Sequence, residues 1–148
     1  MSLIIDACVV SRVLFHGDYN YLPVKDALMS RRNVMVYGGE LRREYIPINN
    51  IKRILFRFDQ AGIAKKFPDA DVDNETDIVK KMKVCLSDDE HIIALARVSK
   101  ARLLCSEDTL LHRDFKNKKL IDSPRGKIYQ TRKHIPILNE NCNNCKYH

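Results

Sequence analysis

Asp6, Asp89 and Asp108 each stand where an apolar run of this chain begins or ends, a position from which an acid can do chemistry. Asp6 closes Leu3-Ile4-Ile5, Asp108 follows the run Ala101 to Cys105 through Ser106-Glu107, and Asp89 opens a helix through Ile93 and Ala96. Glu40 and Glu44 lie just beyond Asn33 to Tyr37, four residues apart and so able to share a helix face. Two carboxylates about 5 Å apart repel by roughly 3 kcal/mol at an effective dielectric of 20. Several gathered in one place must raise some of their pKa values or hold a cation. Hard divalent ions accept such oxygens, and Mg²⁺ usually keeps waters and takes phosphate oxygens as further ligands. An ion so held makes hydroxide from bound water and stabilises the leaving oxygen of a phosphodiester. A helix N-terminus at Asp89 adds only about 0.3–1 kcal/mol, too little to replace the ion.

The elements that must position these acids can be read from periodicity. Ser87 to Phe115 organises the chain: a helix, a tight turn near Lys100, a buried strand, and an acidic turn into another helix. Ser87 and Glu90 have the spacing of a capping box, which starts the first of these helices at Asp88 and Asp89. Lys100 stands where such a turn favours glycine. Upstream, Leu3 to Ile5 reads as a buried central strand, Ala7 to Phe15 as an apolar helix and Val24 to Arg31 as a weakly amphipathic one. Asn33 to Tyr37 is a second buried strand closed by Gly38-Gly39, and a helix carrying Glu40 and Glu44 follows. Ile51, Ile54, Leu55 and Phe58 have the strongest helical spacing in the chain, within a helix from Ile48 to Phe58. Phe67-Pro68-Asp69 reads as a break, with a short helix from Glu75 to Lys83 after it. Lys127 to Thr131 reads as a last strand and His134 to Leu138 as a short closing element. Strands alternating with helices predict an α/β domain with a mainly parallel sheet over residues 1–138, followed by a polar tail, 139–148, expected to be mobile. Ligands of such sheets bind beyond the carboxyl ends of the strands, where Asp6, Glu40 or Glu44, and Asp108 fall.

At 148 residues the chain is most simply one domain, with ordinary apolar (45%) and charged (30%) fractions for a globular protein. No apolar run approaches the ~18 residues of a membrane helix, and the first residues have neither a basic start nor a long apolar core. The expectation is an intracellular, cytoplasmic protein without a membrane partner. An odd count of five cysteines fits free thiols in a reducing compartment. The net charge of +7 favours polyanionic partners, nucleic acid before anionic membrane. Arg12, Arg42, Arg43, Arg113 and Lys116 flank the acidic edge and could hold phosphates, although a solvated charged face explains each one singly. Tyr and Phe are too dispersed along the chain to define a strip for stacking bases.

Every acid also has a structural explanation. Asp6 and Asp108 could each cap the helix that follows, and Asp88 reads as first-turn charge. Only their convergence at one sheet edge distinguishes a site from a set of caps. Asp69, Asp71 and Asp73 have the spacing of a calcium loop, but Asn74 and Lys80 occupy the glycine and glutamate positions, which excludes an EF-hand. Cys142, Cys145 and His148 form three-quarters of a zinc site and leave the fourth ligand unassigned.

The run Ile4-Ile5-Asp6, the helix Asp89-Glu90-His91-Ile92-Ile93-Ala94-Leu95-Ala96 and the segment Ala101-Arg102-Leu103-Leu104-Cys105-Ser106-Glu107-Asp108, with Asp114-Phe115 beyond it, resemble the PIN-domain family. The likeness spans about residues 2 to 138 and is most specific from Asp88 to Phe115; Ile128 to His134 also resembles the end of such domains. It implies a Rossmann-like three-layer α/β/α sandwich and Mg²⁺- or Mn²⁺-dependent cleavage of single-stranded RNA. By position it implies metal-binding, catalytic roles for Asp6, Glu44, Asp89 and Asp108, with Asp114 an auxiliary ligand or a solvent-held acid. Glu40 is the alternative to Glu44. Ser106 would orient Asp108 or a metal-bound water, or simply hold the turn, and His91 and His112 would lie at the surface or behind the ligands. Many family members are toxins, so an antitoxin protein and a second copy of the chain are the implied partners. Two other readings compete. A non-catalytic RNA-binding or scaffold module would bind RNA without metal or scission, and the full set of acids speaks against it. A small-molecule phosphatase of the dehalogenase type is weakened by Cys8, which occupies the second acidic position of that motif.

Overall fold

In the computed structural model, which describes residues 1–139, the chain forms a five-stranded parallel sheet flanked by helices in a three-layer α/β/α arrangement. The strands are β1 (Ser2–Ile5), β2 (Val34–Tyr37), β3 (Ala64–Lys66), β4 (Leu103–Cys105) and β5 (Lys127–Tyr129), in the order β3-β2-β1-β4-β5. The helices are α1 (Ala7–Leu14), α2 (Leu22–Met29), α3 (Gly39–Tyr45), α4 (Ile51–Ala61), α5 (Asp69–Met82), α6 (Glu90–Ser99) and α7 (Thr109–Lys116). A 3₁₀ turn at Arg132–His134 leads into further helix over 135–139. The Rossmann-like sandwich expected from the family resemblance is therefore the fold observed. Among the described residues no helix is long and apolar enough to cross a membrane.

Strand order decides where a site can form. From β1 the chain builds outward through β2 and β3 on one side, then returns to place β4 and β5 on the other. The connections thus diverge at the carboxyl ends of β1 and β4, and open parallel sheets bind their ligands in that crevice. The two strands are in register, Leu3 opposite Leu103 and Ile5 opposite Cys105. The pairing runs one residue further, since the Asp6 amide donates to the Cys105 carbonyl at 2.9 Å. Leu3, Ile4, Ile5, Leu103, Leu104 and Cys105 are fully buried, as strands covered on both faces must be.

Several elements differ from those the sequence suggests. β3 went unread because it is short, Ala64-Lys65-Lys66, and mostly charged; it is an edge strand whose lysines are exposed. Helix α5 begins at Asp69, not Glu75, because Pro68 is the residue before a helix, with Asp69 and Asp71 in the first turn. The break at Phe67-Pro68 is a helix start. Helix α6 begins at Glu90, so Ser87 and Glu90 are not its capping box; Ser87 lies in the preceding loop. Strand β5 stops at Tyr129 because the backbone N–H groups of Gln130 and Thr131 turn to donate to His134 Nδ1 (3.0 and 3.2 Å). Lys100 does occupy the left-handed turn (φ 66°) ending α6.

The start of α3 needs glycine twice. Gly38 has φ +156°, and a Cβ there would meet the Phe67 carbonyl oxygen at 2.6 Å. Gly39 has φ +59°, and a Cβ would meet Val72 Cγ1 at 2.7 Å, because α3 crosses α5 with almost no space between them. Gly62 has φ +75° but open space around it. Gly62→Ala should therefore cost only the left-handed strain, about 1–2 kcal/mol. Gly39→Ala should lose a further 1–3 kcal/mol or so from overpacking against Val72, read as a lower urea midpoint for Gly39→Ala than for Gly62→Ala.

Candidate active site at the β1–β4 carboxyl edge

Asp6 follows β1 directly and occupies the N-cap position of α1, but its side chain makes no cap bond. It is 8% exposed. Its Oδ2 accepts from the Ser106 hydroxyl at 2.7 Å and from the Cys8 thiol at 3.3 Å. Both donors fall on one oxygen, Oδ2. Ser106, wholly buried after β4, also accepts from the Asp108 amide at 3.1 Å. Its one hydroxyl thus orients Asp6 and holds the turn that carries Asp108, two duties that the sequence reading offered as alternatives for other partners. His112 Nε2 donates to the Ser106 carbonyl at 2.6 Å, which fixes its tautomer and ties α7 to the same turn.

Asp108 is a true N-cap. Its Oδ1 accepts from the amides of Leu110 and Leu111 at 3.0 and 3.2 Å. The cap uses one oxygen and sets the plane of the carboxylate, so the structural and the functional readings of this acid are compatible. Asp89 occupies the N-cap position of α6 without capping it. Its pKa is pushed from the ordinary 3.8 up to about 6, by burial first and then by the negative charges of Asp6 and Asp108 and a hydrogen-bond contact to Asp108, with His91 opposing them. Three acids from three distant segments therefore feel one another at the edge where β1 and β4 end.

Glu44 is held differently. Its Oε1 meets His91 Nε2 at 2.7 Å, an imidazole that is 8% exposed, so α3 is joined to α6 beside Asp89. Glu44, Glu40, Asp88, Asp89 and His91 line one cavity of about 370 Å³. Within it Glu40 is paired to Arg43 at 3.1 Å, whereas Glu44 is the acid tied to the helix that carries Asp89. His91 was read from sequence as surface or as lying behind the ligands; it is a buried clasp, signalled only by its position two residues after Asp89.

Asp114 is 1% exposed, and its oxygens accept from the Leu86 amide (2.8 Å), the Ser87 amide (2.9 Å) and the Ser87 hydroxyl (2.7 Å). These bonds make it an anchor that fastens the loop delivering Asp89, a structural role beside the auxiliary-ligand role that the resemblance implies. The Ser-x-x-Glu spacing misled because Ser87 spends its hydroxyl proton on Asp114. Ser87 Oγ in turn accepts from the Asp89 amide at 3.3 Å.

The basic residues expected to flank the site are largely committed. Arg12 pairs with Asp18 (3.0 Å) and Glu107 (2.5 Å), Arg42 with Asp69 (2.7 Å) and Arg43 with Asp73 (2.6 Å). Lys116 lines a separate cavity beside His112 and His134. The Cys142, Cys145 and His148 trio lies outside the described residues.

The donor chemistry suits a hard divalent ion: oxygens from Asp6, Asp89 and Asp108 on rigid element ends, one of them destabilised as an anion. Among the described residues no group of three or more His, Cys, Asp or Glu side chains is placed to hold a metal ion as it stands. Mg²⁺ does not need one, since it binds through one or two carboxylates and completes its shell with water and phosphate.

Two measurements follow. With its pKa raised in the folded state, Asp89 binds its proton more tightly folded than unfolded, so stability is lost as pH rises from about 4 to about 6. Asp89→Asn should be more stable than the wild type above pH 6 by about 1–2 kcal/mol, allowing for screening at a half-buried side chain, and equal to it near pH 3; urea titrations across that range measure it. Asp114→Ala should lose about 2–4 kcal/mol, because it strands the buried amide and hydroxyl of Ser87 and the part-buried amide of Leu86, with amide exchange across 86–89 accelerating before that of β1. No protein-family model matches this chain, and no curated protein is significantly similar to it.

Proposed function

We propose that the protein is a metal-dependent endoribonuclease that hydrolyses phosphodiester bonds of single-stranded RNA. The observation that carries this reading is the gathering of Asp6, Asp89 and Asp108 at the switch point of a parallel sheet, where burial first and the charges of Asp6 and Asp108 second hold the Asp89 carboxyl above its ordinary range. Isolated helix caps have no cause to load one another in this way. The resemblance of the surrounding segments to the PIN-domain family supports the choice of RNA over other phosphodiesters, and the net charge of +7 supports a polyanionic substrate.

Asp6, Asp89 and Asp108 would hold Mg²⁺ or Mn²⁺, with Glu44 the fourth acid on the adjoining cavity. The ion would supply a water of lowered pKa and charge stabilisation for the leaving oxygen. Ser106 restrains Asp6 by donating to Oδ2, so the carboxylate would meet the ion without searching rotamers. Asp108 is held in plane by its two cap bonds. Glu44 is steadied by His91. Asp89, with a pKa of about 6, is mostly ionised at neutral pH and lies in the range where a carboxylate can take and return a proton. A small antitoxin protein covering this edge and a second copy of the chain are the protein partners consistent with the family resemblance, and an RNA substrate implies action in the cytoplasm.

The test is cleavage of a mixed pool of single-stranded RNA in Mn²⁺ against EDTA. Scission should occur only with the metal. Asp6→Asn and Asp89→Asn should each lower the rate by about 100-fold or more, since even residues behind the ligands of metal sites cost 10- to 100-fold. Undiminished scission by both folded variants would overturn the assignment.

A further inference from the structure

Tyr19 is the most exposed large apolar side chain among the described residues, at 70%, yet it is not loose. The guanidinium of Arg132, far away in sequence, lies over its ring 4.2 Å from the centroid, and Arg132 Nη1 donates to the Tyr19 carbonyl at 2.8 Å. Tyr129, at the end of β5, donates its hydroxyl to the Asn20 carbonyl at 2.5 Å. The loop between α1 and α2 is thus pinned to the carboxyl end of β5, and the aromatic ring is fixed with one face capped by a cation and the remainder in solvent. Tyr19, Asn20, Arg132 and Lys133 surround a cavity of about 430 Å³.

This cavity adjoins the carboxylate edge. Tyr21, two residues after Tyr19, reaches Glu107 with its hydroxyl at 3.4 Å, and Arg12 bridges Asp18 to the same Glu107. Glu107 precedes Asp108 in the chain. The loop that carries Tyr19 is therefore fastened both to the turn before Asp108 and to the carboxyl end of β5. An isolated exposed tyrosine would be unremarkable. An aromatic face held rigid by a guanidinium, with an exposed lysine beside it and a polar asparagine on the rim, is the combination that grips unpaired nucleotides, by stacking on the base and attraction to the phosphate.

We infer that Tyr19 and Arg132 form a base-stacking subsite for single-stranded RNA on the β5 side of the carboxylate edge, with Lys133 contacting the phosphate. The inference rests on RNA being the substrate, and it supplies what the basic residues near the acids do not, since Arg12, Arg42 and Arg43 are already paired with carboxylates.

The chain contains no tryptophan, so Tyr19→Trp introduces a single indole reporter at the subsite. In EDTA, which suppresses scission, a short mixed-sequence single-stranded RNA should quench that emission, and its own duplex should not, because duplex bases are already stacked. Fluorescence anisotropy with the same labelled RNA should show Tyr19→Ala weakening binding by roughly 5- to 150-fold, the range for losing one base–aromatic stack, with Tyr19→Phe within about twofold of the wild type. If RNA binds the wild type but Tyr19→Ala binds equally well and the Tyr19→Trp emission is unchanged, the subsite is refuted while the nuclease reading stands. If the wild type binds no single-stranded RNA, both fall together.

Discussion

One hydroxyl carries more of this architecture than its size suggests. Ser106 donates to Asp6 and accepts from the Asp108 amide, so a single buried oxygen joins the ends of the two central strands and fixes the relation between two acids a hundred residues apart. Without such a donor, Asp6 would be a buried carboxylate near two others, costly as an anion and free to turn away. With it, the geometry of Asp6 is defined, and the Asp89 carboxyl is displaced toward neutrality by burial first and by the charges of Asp6 and Asp108 second.

The rest of the edge repeats this pattern of side chains that steady other side chains. Asp114 closes the loop before α6 through both its oxygens, His91 clasps Glu44, and His112 ties α7 to the Ser106 carbonyl. Each of these residues is titratable, and each was a candidate for chemistry by type alone. Their hydrogen bonds to neighbouring chain assign them to support. Asp89 opens with Glu44 and Glu40 onto one cavity, while Asp6 is buried behind it at the end of β1. Strain is accepted elsewhere to keep this arrangement compact: α3 is drawn so close to α5 that only glycine fits at two consecutive positions.

Charge is distributed in the same economical way. The surplus of basic residues suggested a phosphate-binding rim, but the arginines nearest the acids are held in ion pairs that brace α1, α3 and α5. Arg132 is different in kind, because its partner is a ring and not a carboxylate. A cation over an exposed aromatic keeps both its charge and one ring face available, which an ion pair does not.

Strands β1, β2 and β4 and the strongest helices were legible from the chain alone, because burial on both faces demands unbroken apolar runs and amphipathic helices demand their 3.6-residue period. So was the coincidence of Asp6, Asp89 and Asp108 with element ends, since a polar residue that ends an apolar run is visible without coordinates. Edge strand β3 was not, because two lysines facing water erase the hydrophobic signal. Nor were the separate duties of the acids: a carboxylate that caps, one that anchors and one that burial and its neighbours push toward neutrality are the same letter until its surroundings are known. Asp108, Asp114 and Asp89 were told apart only by which amides and hydroxyls packing brought to them. Tyr19 and Arg132 make the same point across the greatest separation, for local order can specify an aromatic or a cation, but only the return of β5 beside the α1–α2 loop stacks one upon the other.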